Sequence, residues 1–193
     1  MDDIQKHLET FLENKRKDFP RFFFLSNDEL LQLLAAAQDI RKVEKHLNKI
    51  FENINRLRLG EDMNSNQIYA IISAEGEVVL YSSPIKIPTD ENLELTLKNI
   101  ESKMFETLKK RLFKFNDSFD LTNIEKSSWV FTEIGQIIAA HSQVIWTELS
   151  EYYIGEMEKE GYTSLNGFLE LLNGQLLQLT ELIRGKLGSV ERK

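Results

Sequence analysis

The sequence predicts a mainly α protein, an irregular bundle or array of long helices with one inserted β-hairpin. Three observations carry that expectation. Apolar residues recur at helical spacing through most of the chain, as in Leu93, Leu97, Ile100, Met104, Leu108 and Leu112. The pattern turns strand-like only in two short β-branched and aromatic runs, Ile68–Ile72 and Val78–Tyr81. The 3 prolines and 9 glycines among 193 residues are too few for an all-β sandwich, which needs a turn signal about every 8–12 residues.

Each element has its own signal. Ile4, Leu8, Phe11 and Leu12 mark a first helix, with Asp2 and Asp3 suited to the positive end of its dipole. Pro20 stops it, because the residue before a proline is pushed out of the α region. The apolar run Arg21-Phe22-Phe23-Phe24-Leu25 is expected to be buried, as a core plug or as an anchor between domains. Ser26-Asn27-Asp28-Glu29 reads as a capping box, with Leu25 and Leu30 placed as a hydrophobic staple. That short helix should fray at Gln38. Asp39 then caps a helix whose inner stripe is Ile40, Val43, Leu47, Ile50 and Ile54. Its outer face carries Arg41, Lys42, Lys45 and Lys49.

The period changes after Gly60. The two strand-like runs flank Ser73-Ala74-Glu75-Gly76-Glu77, a turn with glycine available for positive φ. Pro84 and Pro88 are expected to end the hairpin, which is too small to stand alone and should pack on a helix or on another protein. Thr89 or Asp90 caps the long apolar seam that begins at Leu93, and Asn116-Asp117-Ser118 breaks it. A further helix is expected from about Thr122, carrying Trp129, Ile134, Ile137, Ile138, Val144, Ile145 and Trp146. Gly161 and Thr163-Ser164 mark a linker, and a last helix runs from Leu165 to Ile183. The expected divisions are 1–60 (N-terminal helices), 61–88 (hairpin), 89–160 (long-helix bundle) and 161–193 (C-terminal helix).

Composition narrows the function. Hydrophobic residues at 41% and charged residues at 28% suit a chain that buries a core. With 24 Lys+Arg against 31 Asp+Glu, the net charge is −7, which argues against sequence-independent nucleic-acid binding. There is no cysteine, so thiolate chemistry and cysteine-ligated zinc are excluded. Unbroken apolar runs are far shorter than the roughly 20 residues that span a bilayer. The N-terminus lacks the basic-then-apolar profile of a signal peptide. A soluble intracellular protein, or a piece of one, is the expectation, without membrane or nucleic-acid partners.

Catalytic patterns are missing from the sequence. Arg184-Gly185-Lys186-Leu187 lacks the first glycine and the magnesium-holding hydroxyl of a phosphate-binding loop. Neither the dinucleotide glycine pattern, nor the Gly-x-Ser-x-Gly elbow, nor His-Glu-x-x-His occurs. His7, His46 and His141 fall on three separate expected elements, as surface or satisfied histidines. No catalytic, cofactor or metal residue is expected. What remains are partner-contact candidates: the basic stripe Arg41, Lys42, Lys45 and Lys49, which is otherwise a solvated face, and the tip Glu75-Gly76-Glu77, which is otherwise a plain turn.

One long stretch is specific. Lys15-Arg16-Lys17-Asp18-Phe19-Pro20-Arg21-Phe22-Phe23-Phe24-Leu25-Ser26-Asn27-Asp28-Glu29-Leu30-Leu31 resembles the linker region of dynein heavy chains. The similarity continues at Val43, His46, Leu47, Lys49 and Phe51-Glu52-Asn53-Ile54. It goes on through Ser73–Glu77, Glu101 and Met104, Trp129, Gln136 and Ser142–Thr147, and ends with Leu182–Leu187. Where the family usually has a proline two residues before the glutamine, this chain has Ile134, so a helix kink is no longer expected there.

The resemblance implies a non-catalytic mechanical segment, the C-terminal part of the linker, that bends and straightens as ATP turns over in the first AAA+ module. It implies the AAA+ ring of the same heavy chain as partner, and a parent complex that binds microtubules and other dynein chains. ATP and magnesium would sit in that ring, with no cofactor in this stretch. The implied location is cytoplasmic and cytoskeletal, in a ciliary or flagellar axoneme. A free-standing helical adaptor binding an acidic partner is the alternative.

Overall fold

The computed structural model describes residues 2–60, 66–88, 92–119, 129–188 and 191. The elements are α1 (Asp2–Asp18), a 3-10 turn (Pro20–Phe24), α2 (Asn27–Ala35), α3 (Ile40–Ile50), β1 (Arg56–Leu59), β2 (Gln67–Ile72), β3 (Val78–Lys86), α4 (Leu93–Ser118), and two long helices. These last are α5 (Gly135–Glu160) and α6 (Thr163–Arg184). The chain divides into two compact units, Met1–Thr107 and Leu108–Lys193. The expected mainly α architecture with an inserted hairpin is what the chain adopts.

In the first unit the local signals act as the sequence dictates. The amide of Glu29 donates to Ser26 Oγ at 3.3 Å and the amide of Ser26 donates to Glu29 Oε2 at 3.0 Å, a complete capping box. Leu25 and Leu30, the two ends of the staple, are both buried. Asp39 caps α3 through the amide of Arg41, and Val43, Leu47 and Ile50 face the core. Phe51 follows directly, and Asn53 takes a positive φ of 65°, a conformation that asparagine tolerates better than most residues. The rings of Phe19, Phe22 and Phe51 meet at 5.0 and 6.2 Å in the middle of this core.

The apolar run after Pro20 behaves differently from expectation. Only Phe22 and Leu25 are buried, while Phe23 and Phe24 are 68% and 70% exposed. A tight 3-10 turn sends neighbouring side chains in different directions, so it cannot bury three consecutive phenylalanines against one core.

The hairpin has a third strand that hydrophobic patterning misses. β1 pairs antiparallel with β2, which pairs antiparallel with β3, in the order β1-β2-β3. Arg56-Leu57-Arg58-Leu59 does alternate, but four residues are too short to stand out from the preceding helices. Pro84 does not end the hairpin; β3 runs through it to Lys86. Register explains this. Ile68 opposes Ile85 and Ala70 opposes Leu80, so Tyr69 alone faces residues 81–84. Proline is tolerated in such a bulge on an edge strand, where no ladder donor is required of it. The opposite edge is covered, because the Leu57 amide donates to Glu44 Oε1 of α3 at 2.6 Å.

α4 is capped by Asn92, whose side chain accepts from the Leu95 amide at 2.9 Å. The expected caps Thr89 and Asp90 lie outside the described residues. Leu93, Leu97 and Ile100 are buried, and Tyr81 of β3 donates to the Ile100 carbonyl at 3.5 Å.

In the second unit, the helix expected from about Thr122 falls partly outside the described residues, at 120–128; Trp129 is helical, residues 130–134 are not, and the long helix α5 runs from Gly135. Trp129 precedes a turn closed by the Thr132 amide on the Trp129 carbonyl. Ile134 is the N-cap of α5, with φ −67° and ψ 148°. The expected linker is a short turn. Gly161, at φ 69°, ends α5, and α6 starts at Thr163 to form a helical hairpin. Tyr153 stacks on Phe168 at 5.0 Å, and Ser164 Oγ donates to the Tyr153 carbonyl at 3.1 Å.

Candidate functional site

The basic stripe lies where its spacing puts it. Arg41, Lys42, Lys45 and Lys49 are all on the exposed side of α3, opposite Val43 and Leu47. Their surroundings divide them. Lys49 is bound to Glu29 of the capping box, and that ammonium, followed by the Ser26 bonds, holds the Glu29 carboxyl down to about 2. Lys42 reaches Asp39 only at 4.0 Å with both groups well exposed. Arg41 and Lys45 enter no ion pair among the described residues. The stripe therefore presents solvated cationic heads on a rigid helix, a surface able to meet carboxylates.

The hairpin tip is a tightly closed turn. The Ser73 amide donates to the Glu77 carbonyl at 2.9 Å, the Gly76 amide to the Ser73 carbonyl at 3.2 Å, and the Glu77 amide to Ser73 Oγ at 3.0 Å. Gly76 sits at φ 97°, a region that a side chain resists. Glu75 and Glu77 flank it, both half-buried. The stripe belongs to a helix and the tip to the sheet, and the structure keeps them as separate features of the first unit.

Sequence reasoning misses a partly buried polar joint in that unit. Arg21, fixed by a 3-10 turn with Pro20 at its start, donates through Nε to Glu101 Oε1 of α4 at 2.6 Å. A second guanidinium nitrogen reaches the Ile50 carbonyl at 3.4 Å, and the guanidinium lies 5.0 Å from the Phe51 ring centroid. One side chain thus ties the turn to α4 and to the end of α3. Its neighbours repeat the device. Arg16 donates to the Leu25 carbonyl at 3.1 Å and to Asn27 at 2.8 Å, and Lys15 pairs with the buried Glu94 of α4 at 2.6 Å. The available signal is a lone arginine inside an apolar run, since a cation there needs a partner.

Between α1 and the start of α4 lies a cleft of about 320 Å³ lined by Lys15, Asp18, Asn92, Glu94, Leu95 and Lys98. Its charges are mixed and no histidine lines it. His7 bonds the Asp3 carbonyl at 2.6 Å on the surface, and His46 is half-buried on α3. His141 is fully buried, 2.5 Å from Asn116 Oδ1, among the rings of Phe115, Phe119 and Trp129. Among the described residues, no three of the metal-ligating types gather into a cation site, and no helix is long and apolar enough to cross a membrane.

Comparison with known proteins gives one consistent answer. Residues 1–115 match the family described as dynein heavy chain, N-terminal region 2. Over its whole length the chain is 36% identical to the dynein-1-beta heavy chain of the flagellar inner arm I1 complex of Chlamydomonas reinhardtii. It is 34% identical to dynein axonemal heavy chain 3 of Mus musculus and 35% identical to dynein axonemal heavy chain 1 of Homo sapiens. Each match covers 100% of this chain and 4% of the relative, so the chain spans a small part of the length of these proteins.

Proposed function

The chain belongs to the dynein heavy chain family through its N-terminal region 2, and from that premise we propose that it is a non-catalytic mechanical segment of a dynein motor. In this reading it is part of the linker and relays ATP-driven changes of the AAA+ ring toward the tail. ATP and magnesium are held by the ring, and the parent complex works on microtubules. The axonemal names of its relatives support a place in a cilium or flagellum.

The observation that carries the proposal is the joint around Arg21. A relay must move as a body, and close-packed interiors transmit strain instead of absorbing it. In the first unit the phenylalanine core is reinforced by bonds that each cross between elements far apart in sequence: Arg21–Glu101, Lys15–Glu94 and Lys49–Glu29. These tie α1, the 3-10 turn, α2, α3 and α4 together. A relay also needs contacts that differ between nucleotide states, because a ligand shifts an equilibrium only by its differential affinity. The exposed cations Arg41, Lys42 and Lys45, and the tip Glu75-Gly76-Glu77, are the surfaces offered for that role. The adaptor alternative draws on the same stripe, but in each relative this stretch is embedded in a far longer chain.

The test is charge reversal in the whole motor. Lys42→Glu with Lys45→Glu should leave the fold intact, both side chains being exposed, and should change microtubule gliding velocity and its coupling to ATP turnover. Unchanged velocity and unchanged ATPase would discard the stripe as a ring contact. ATP hydrolysis by the purified chain itself would discard the non-catalytic reading.

A further inference from the structure

The chain has 3 prolines, and only one of them follows a hydroxyl residue. Pro20 and Pro88 come after Phe19 and Ile87, whereas Pro84 comes after Ser83. The four residues Ser83-Pro84-Ile85-Lys86 close strand β3. Alternate side chains of a regular strand share a face, and Val79, Tyr81 and Ile85 are buried on the inner one. Position 83 has the same parity, yet Ser82, Ser83 and Pro84 are all exposed. The bulge is the cause. Leu80 pairs with Ala70 and Ile85 with Ile68, so residues 81–84 have only Tyr69 opposite them, and the strand has the slack to turn Ser83 outward. β3 is also an outer strand of the sheet, with no further strand beside it among the described residues.

We propose that Ser83 is a phosphorylation site for a proline-directed protein kinase, of the class that reads Ser-Pro followed by a basic residue two places after the proline. Pro84 has no amide donor to leave unpaired in the enzyme's groove, and Lys86 offers an exposed cation at the required position. Kinases take the target segment as extended chain, the conformation of a strand. For an enzyme to grip both sides of Ser83, the pairs Ile85–Ile68 and Lys86–Gln67 and the bond from the Ile87 amide to the Asn66 carbonyl must release. Opening a strand end costs far less than global unfolding. In the transfer, Ser83 Oγ attacks the γ-phosphorus of magnesium-bound ATP. The new O–P bond replaces the bond to the β,γ-bridging oxygen, ADP leaves with that electron pair, and the catalytic aspartate of the kinase takes the hydroxyl proton. The product carries a charge of roughly −1.5 to −2 at neutral pH. That charge stands on the outer edge of the sheet, where it opposes pairing with another strand. The inference is independent of the motor reading.

Incubating the 193-residue chain with a cyclin-dependent kinase and magnesium-ATP, and mapping the phosphate by mass spectrometry, tests it. A peptide of residues 77–88 serves as the reference, carrying the same motif without the fold. Phosphate is expected on Ser83 at a rate within about tenfold of the peptide's, because only a strand end has to open. Ser83→Ala should abolish it with the circular dichroism unchanged, since Ser83 is exposed. Lys86→Glu should slow the reaction in chain and peptide alike, and Ser82→Ala should not. A chain slower than its peptide by more than that factor overturns the proposal, because the fold is then hiding the hydroxyl. A phosphate yield undiminished in Ser83→Ala overturns it by placing the modification on another residue. A peptide that the kinase ignores overturns the recognition itself.

Discussion

Replacing Arg21 with alanine removes a guanidinium that serves three partners at once. The bond to Glu101 is short, 2.6 Å, but the two side chains keep 31% and 29% of their exposure. A charge-assisted hydrogen bond contributes roughly 1.5–3 kcal/mol when shielded, and partial solvent screening brings the pair closer to about 1 kcal/mol. The ring contact with Phe51 at 5.0 Å adds about 0.5–1 kcal/mol. The reach to the Ile50 carbonyl, at 3.4 Å, is too long to add much. Arg21→Ala should therefore cost about 2 kcal/mol, and the double-mutant cycle with Glu101→Ala should return a coupling of about 1 kcal/mol. Both tryptophans, Trp129 and Trp146, lie in the other unit, so their fluorescence does not follow this joint. Hydrogen–deuterium exchange resolved to peptides covering residues 20–60 and 93–107 does. Faster exchange in both segments is expected. A coupling indistinguishable from zero, with exchange unchanged in α4, would refute the view that Arg21 locks these elements together.

Three further outcomes follow from the same geometry. The Glu29 carboxyl is held at about 2 against an ordinary 4.5, so the folded state binds its proton less readily than the unfolded chain. That contribution is full above about pH 4.5 and fades as pH falls toward 2; an NMR titration of Glu29 should show the low midpoint, and Lys49→Met should raise it. Gly76→Ala should cost about 1 kcal/mol, although nothing lies within 4 Å of the added carbon, because the penalty is the backbone at φ 97°; equal denaturation midpoints for the two proteins would contradict it. Ile134→Pro should cost less than about 1 kcal/mol, because the N-cap of α5 already has φ −67° and the lost amide bond, to Glu133, is a long one at 3.3 Å; loss of α5 helicity by circular dichroism would show otherwise.

The last of these bears on how the sequence is read. Taken with the helix expected from Thr122, a proline at position 134 suggests a kink. In the fold the position is where a helix begins, so isoleucine and proline answer the same backbone requirement. A similar lesson applies to Pro84, which reads as a terminator but occupies a bulge on an edge strand.

What the sequence settles alone is whatever depends on neighbours within a few residues. The Ser26–Glu29 box, the Asp39 cap, the Ser73–Glu77 turn and the helical seams are local bonds or local periodicities, so a short window of residues suffices to specify them. Tertiary structure alone decides which of Phe22, Phe23 and Phe24 is buried, that Arg56–Leu59 joins the sheet, and that Arg21 finds Glu101 across 80 residues. Those outcomes depend on which surfaces meet, and a one-dimensional pattern records the need for a partner without recording its identity.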